Sequence, residues 1–484
     1  MPTHRVVHVR SVADGVAAVA LRSGIARLQS ELGVTPAFPP EVEEAAEAAA
    51  RAPRLPSLDR TDLPFVTIDP PGAMDLDQAL HLERDGDGFV VHYAIADVAA
   101  FVRPGDPVDT EAWKRGETLY GADSKVPLHP PVLSEEAASL LPDQLRPALL
   151  WTIRLRPDGA RREVHVERAL VRSRARLTYA EAQAAIDDGS ASDVLLLLRE
   201  VGERRIAREA VRGGVSLPLP EQEVDVAGEE WRLEFREELP VERWNAQISL
   251  LTGFAAADLM LYARTGLLRT LPLPDPRDVQ RLHRTARALG IEWPAEQLYP
   301  DFVRTLDPSI PAHAAMVDAS ARLLRGSGYV AFDGETPAEP QHAALASEYA
   351  HVTAPLRRLG DRYAGEVCLA LCAGEEVPDW VRSALHELPG VLRSSASRAG
   401  SYERGVLDLV EAGILRAHVD ATFPGVVVDV DDKDPSRGVV VLQEPAVEAR
   451  VVSTSPLPLG TDVTVRLTVA DLETRKVEFE LVSG

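Results

Sequence analysis

FVTIDPPGAMDLDQ, residues 65–78, is the stretch on which the fold turns. An apolar run rich in β-branched residues predicts a strand that delivers Asp69 to its end. Pro70, Pro71 and Gly72 then bend the chain. Asp75 and Asp77 return two residues apart, so in extended backbone both point to the same side. Three convergent carboxylates repel one another unless protons or hard cations neutralise them. Oxygen-only ligands on a tight loop suit Mg²⁺, with Mn²⁺ as a substitute, rather than Zn²⁺, which takes His or Cys. Mg²⁺ held by carboxylates typically shares its remaining positions with substrate phosphates. A solvated acidic turn would give the same spacing, but the preceding strand and the rigid prolines favour a site. The twelve-residue calcium-loop pattern is absent.

Outward from this loop the periodicity changes several times. Residues 1–60 read as a helical N-terminal extension and linker. Ala17–Leu32 carries apolar residues at helical spacing and stops at Gly33, and a second helix starts near Pro40 with acids in its first turn. Strands are predicted at FVTID and FVVHYAIADV, separated by a polar loop and the turn DGDG. A further hairpin is predicted around Asp158 and Gly159. Residues 191–212 form a strong helix ending at a Gly pair, followed by short strands VSLPLP, EVDVAG and WRLEFREE. Residues 241–417 read as mostly helical. The last 68 or so residues alternate through five short strands, as an OB-type β-barrel does. The fold class is α/β (α+β): a mixed sheet with surrounding helices over 61–416, and a small barrel over 417–484.

With 484 residues, 45% hydrophobic and 26% charged, the chain has material for about three domains and is not wholly disordered. No apolar run approaches the ~20 residues of a membrane helix, so no membrane partner is expected. Cys368 and Cys372 share a helix face, which reads as reduced core and a cytoplasmic protein. The net charge of −23 argues at first sight against nucleic acid. Of the 52 basic residues only Lys114, Lys125, Lys433 and Lys476 are lysines, a bias that codon preference explains.

TIDPPGAMDLDQAL (67–80) resembles the signature of the ribonuclease II (RNB) family of 3′→5′ exoribonucleases. Five further stretches resemble that family in the same order: 95–109, LYGADSKVPLHPPVLSEEAASLLP (119–142), 174–182, 212–221 and YAHVTAPLRRLGD (349–361). The resemblance covers about residues 60–410 and implies an RNB-type catalytic domain. It assigns Asp69, Asp75 and Asp77 to the metal site. The family's fourth aspartate is Gln78 here, whose carbonyl could still ligate a cation but adds no negative charge. Asp77 is the acid implied to be indispensable. Arg357 matches the catalytic arginine, with Ala354 in place of the usual Ser. Tyr120 matches a tyrosine that stacks on the terminal nucleotide, and Arg358 and His351 are further substrate-binding candidates.

The resemblance thus implies a Mg²⁺-dependent enzyme that hydrolyses single-stranded RNA to nucleoside 5′-monophosphates. DNA is not expected as a substrate, and a monomer is expected. Eight arginines between 154 and 176 could line a path for the RNA backbone, with solvated surface the equal alternative. The barrel has two aromatics, Phe423 and Phe479, a thin stacking platform. Gln78 motivates a rival reading, an RNA-binding relative that no longer cleaves. A metal-dependent phosphatase of small phosphoesters is a second.

Overall fold

The computed structural model describes residues 7–12, 16–121, 125–217, 221–227 and 230–483. At its centre is a six-stranded sheet of β1 (Phe65–Asp69), β2 (Gln78–Asp85), β3 (Gly88–Ala96), β4 (Arg146–Leu155), β5 (Arg161–Val171) and β6 (Ser173–Thr178). The spatial order is β5-β4-β3-β2-β1-β6. β1 and β6 run parallel, with Asp69 opposite Thr178, and the other neighbours are antiparallel. β3 is buried along its whole length, which is where a nearly continuous apolar run belongs. Gly86 (φ +62°) and Gly159 (φ +76°) turn the β2–β3 and β4–β5 hairpins, the second at the predicted turn. QALHLERD, read from sequence as a polar loop, is instead β2. Its Leu80 and Leu82 enter the core while His81 and Glu83 stay on the more open face.

Six helices matter for the site: α1 (Val16–Leu32), α2 (Pro40–Arg51), α3 (Asp193–Arg212), α4 (Pro240–Ala263), α5 (Leu359–Ala373) and α6 (Leu388–Leu415). The first three lie where the periodicity predicts them. Residues of α3, α4 and α5 join one face of the sheet in a common core. On the other face, Val42 and Ala46 of α2 pack with Phe65, Ala79 and Ala148. By length and composition α4 could cross a bilayer, which corrects the expectation that no segment approaches that length. Here it is a core helix, with residues such as Ile248, Leu251 and Ala255 fully covered. The N-terminal extension is not wholly helical. Val7–Val12 is a strand, parallel to Glu221–Ala227, which pairs in turn with Glu230–Arg236. Of VSLPLP, residues 215–217 are irregular and the rest lies outside the described residues. The region read as mostly helical contains a strand pair, Thr265–Thr270 with Gly328–Asp333.

The C-terminal strands, β7 (Thr422–Val430), β8 (Arg437–Val441), β9 (Glu448–Val452), β10 (Asp462–Asp471) and β11 (Lys476–Ser483), close into a barrel in the order β7-β8-β9-β11-β10. Phe479 is buried in its core, and the half-buried Phe423 meets it edge-on, so at least one of the two rings fills the barrel and is not an outer stacking surface. α1 and α6 share the barrel's core cluster, and Gln29 Nε2 donates to the Tyr402 hydroxyl. Arg322 pairs with Asp429, tying the barrel to the preceding helical region.

Gly253 lets α4 touch the segment that carries the second site motif. A Cβ there would stand 2.1 Å from the Tyr349 ring and 2.6 Å from the Ala350 carbonyl. Gly253→Ala is therefore expected to destabilise the domain by about 1–3 kcal/mol through overpacking, although alanine is the better helix former. A urea midpoint equal to or above wild type would contradict this.

Candidate functional site

The acidic loop leaves the end of β1, turns at Gly72 (φ +78°) and re-enters the sheet as β2. Ser139 fixes the return: its hydroxyl donates to the Met74 carbonyl at 2.6 Å and accepts from the Leu76 N–H at 3.0 Å. Leu76 is wholly buried between Asp75 and Asp77, so the two acids are presented on either side of an anchored side chain. Asp77 is only 1% exposed. Its Oδ1 accepts from the Leu356 N–H at 2.8 Å and its Oδ2 from Arg357 Nε at 2.7 Å. Burial pushes its carboxyl up to about 7, against the pull of Arg357. Asp69 is pushed up to about 6, again mainly by burial, with Arg357 opposing and Asp75 adding to the rise. Its Oδ2 is buried without a hydrogen-bond partner among the described residues.

Asp75 is held differently. Lys125 Nζ lies 3.0 Å from its Oδ1, and the Tyr120 hydroxyl donates to its Oδ2 at 3.2 Å. Tyr120 and Lys125 face each other across a short hairpin, which explains why both reach the same carboxylate. Tyr120 as a residue remains 42% exposed. Among the described residues, no three of His, Cys, Asp and Glu stand together as a ready metal cage. In this arrangement Lys125 and Arg357 already draw two of the three aspartates to themselves.

Gln78 turns away from the cluster. Its carbonyl accepts from the buried Tyr93 hydroxyl and from Ser249 at 3.2 Å, and its Nε2 donates to the Thr353 carbonyl at 2.8 Å. Both ends of the amide are thus occupied, and the site's three acids gain no fourth oxygen from it in this conformation. Arg358 forms a two-pronged pair with Asp361 (2.9 and 2.7 Å), whose Oδ2 also accepts from the Ala354 N–H. That pair sets the turn from which Arg357 projects. His351 Nδ1 lies 2.8 Å from the Tyr329 hydroxyl. Burial, helped by Arg358 and Arg269, holds its pKa well below the usual histidine range, so it is neutral.

Three contributors escaped the sequence reading. Lys125 is one; Tyr179, directly after the Asp69–Thr178 pair, is another, its phenol raised by burial with Asp69 adding to the rise. His129 is the third: its ring sits 3.2 Å from the Leu356 carbonyl, so Leu356 is gripped from both sides of its peptide. All three lie in or beside the quoted motifs, but only distance shows what they touch. Of the two readings left open for the arginine run, four members take the paired one. Arg154 pairs with Asp85, Arg161 with Asp258, Arg162 with Glu163, and Arg168 with Asp97 and Glu366. These residues lie on β4 and β5 at the far edge of the sheet, where acids neutralise them. Arg176, on β6 next to β1, is the member of the run whose charge reaches Asp69.

A mixed α/β domain with a buried acid–arginine cluster, joined to a small closed barrel, is therefore the class that the fold and site define. Residues 58–370 match the RNB domain, and residues 421–482 match the RNase II-type exonuclease C-terminal S1 domain. The chain belongs to the RNB family. It is 31% identical over 341 residues to the probable exosome complex exonuclease RRP44 of Caenorhabditis elegans, covering 66% of this chain and 35% of that protein. It is 28% identical to ribonuclease R of Aquifex aeolicus, covering 86% and 63%. The chain thus spans between about a third and three fifths of the length of such curated relatives. Among solved structures, the RNase R of Mycoplasma genitalium, in complex with ribose methylated single-stranded RNA, superposes with a TM-score of 0.85 at 19% identity, over 96% of this chain and 78% of that one. Yeast Ssd1, a pseudonuclease, superposes with a TM-score of 0.70 at 14% identity, over 96% and 58%.

Two expectations follow from this geometry. Gln78→Glu keeps the side chain's length but removes the donor to Thr353, so a loss of about 1–3 kcal/mol in stability is expected, with binding of added Mg²⁺ unchanged within twofold. A Mg²⁺ titration shifted tenfold would show that position 78 addresses the cation. His129, fully buried, has its pKa lowered to about 4, chiefly by burial. Below pH ~6.5 the unfolded chain takes up a proton there and the folded chain does not, so this contribution to stability is lost as pH falls from about 6.5 toward 4. At pH 5 the loss is roughly 2 kcal/mol at about 1.4 kcal/mol per pH unit. His129→Asn should therefore lose less stability than wild type between pH 7.5 and 5; equal losses in urea melts would contradict the assignment.

Proposed function

We propose that this chain is a Mg²⁺-dependent 3′→5′ exoribonuclease that shortens single-stranded RNA to nucleoside 5′-monophosphates, with Mn²⁺ as a substitute cation. The observation that carries the reading is Asp77, buried and clamped by the Arg357 guanidinium and the Leu356 N–H, beside Asp69 and Asp75, in a chain of the RNB family. Asp69, Asp75 and Asp77 offer oxygen ligands only, and the orphaned Asp69 oxygen is the kind of buried charge that a cation relieves. When bound, Mg²⁺ supplies Lewis acidity toward a phosphoryl oxygen and lowers the pKa of a water molecule.

The protein's own groups then have distinct tasks. Arg357 is fixed through Nε and has the Tyr120 hydroxyl as a further neighbour, and its guanidinium is proposed to meet charge growing on the phosphoryl oxygens. Tyr120 offers a ring face to a terminal base, and such stacking tolerates every base. Its hydroxyl, tethered to Asp75, sets the ring's place relative to the acids. Arg358 acts as a positioning residue, because its charge is committed to Asp361. Neutral His351 fits a hydrogen bond to sugar or phosphate and not an ion pair. Discrimination against DNA is proposed to rest on contacts with the 2′-hydroxyl. A monomer in the cytoplasm is the proposed working form, in keeping with the two free cysteines.

Gln78, where the resemblance implies an aspartate, together with the likeness to a pseudonuclease, favours one competing reading, an RNA-binding relative that does not cleave. Purified protein with labelled single-stranded RNA separates the two. Wild type should release mononucleotides in Mg²⁺ or Mn²⁺. Asp77→Asn should slow release at least ~10²-fold while RNA binding stays within a few-fold. RNA left intact by wild type with both cations would establish the non-cleaving reading.

A further inference from the structure

Lys125 is placed with unusual care for a surface lysine. The hairpin register sets it opposite Tyr120, and its Nζ sits 3.0 Å from Asp75 Oδ1 and 3.0 Å from Glu135 Oε1. Asp75 is mostly covered, and Lys125 and Glu135 are each about three-quarters covered, so this ion pair is only partly screened by solvent. Glu135, on the short π-helix Val132–Ala137, is the ammonium's second carboxylate partner.

Charge balance gives that placement a meaning. Asp69, Asp75 and Asp77 supply three negative charges, and Gln78 supplies none and is bonded elsewhere. Lys125 and Arg357 contribute two fixed positive charges in contact with Asp75 and Asp77, and Arg176 lies near Asp69. Glu135, paired with the same lysine, adds a fourth negative charge, and one divalent cation with one scissile phosphate then balances the set. A second divalent cation would leave a large positive excess, and would have to take Asp75 Oδ1 from the lysine.

We propose that Lys125 is a resident counter-ion of the acidic loop, anchored by Glu135, and that it limits the loop to one divalent cation. The inference rests on the metal-dependent reading above and adds the ion count and the residue that sets it.

The test is Mn²⁺ binding to the full chain without RNA, by equilibrium dialysis with electron paramagnetic resonance of free Mn²⁺. Wild type should bind one ion per chain. Lys125→Met should bind a second, or hold the first at least tenfold more tightly, whereas Lys125→Arg should bind one as wild type does. Thermal melts of each variant identify any that fails to fold, in which case Glu135→Gln, which removes a negative charge and leaves the ammonium to Asp75 alone, should weaken Mn²⁺ binding, the opposite of Lys125→Met. Two ions in wild type, or an unchanged count and affinity in Lys125→Met and Glu135→Gln, would overturn the inference while RNA hydrolysis persists. No bound ion in any form, with no hydrolysis, would overturn both this inference and the enzyme reading.

Discussion

The Asp77 carboxylate is the constraint around which the rest is arranged. A charge with 1% exposure is costly unless hydrogen bonds and an opposite charge surround it. Its partners, Leu356 and Arg357, come from a segment about 280 positions further along the chain. To bring them there the sheet must present β2 at its centre, α4 must let residues 349–350 pass at Gly253, and α5 must begin at the turn that Asp361 braces. The Gln78–Thr353 bond fastens the same two segments one residue along. Site and core therefore form one structure, and a change that loosens either is felt by both.

Burial also shapes how the cluster holds its charge. With Asp77 pushed to about 7 and Asp69 to about 6, the acids sit near the point at which protonation and charge compete at neutral pH. Lys125 and Arg357 favour the charged forms from within the protein. The chain's charge of −23 is no obstacle to a polyanionic partner, because binding depends on where charges point. The positive groups that matter, Lys125, Arg176 and Arg357, converge on the acids from distant parts of the sequence. Exposed acids such as Glu41, Glu43 and Glu47 on α2 belong to an outer surface. Within the arginine run at 154–176, the members on β4 and β5 are paired with acids, and Arg176 is the one near Asp69.

Much of this was legible in the sequence because the signal was local. The strand into Asp69, the Pro-Pro-Gly turn, the hairpin at Gly159, the helix Val16–Leu32 and the five barrel strands each carry their own periodicity or turn chemistry. What escaped depends on partners far away. Val7–Val12 becomes a strand only because Glu221–Ala227 lies beside it, and polar QALHLERD does so because β3 pairs along its full length. Gln78 looked like a weakened ligand by its place next to Asp77. One position along the backbone its side chain leaves the acid cluster for Tyr93 and Ser249, and no pattern of residues reveals that. Likewise an arginine reads the same whether it faces RNA or Glu366.

The measurement that bears most directly on the central claim follows 5′-labelled single-stranded RNA through time with Mg²⁺, alongside a matched DNA strand. The account predicts stepwise shortening from the 3′ end, nucleoside 5′-monophosphates as the small product, and an intact DNA strand. Internal cleavage, shortening from the 5′ end, or RNA that stays bound at full length would contradict it.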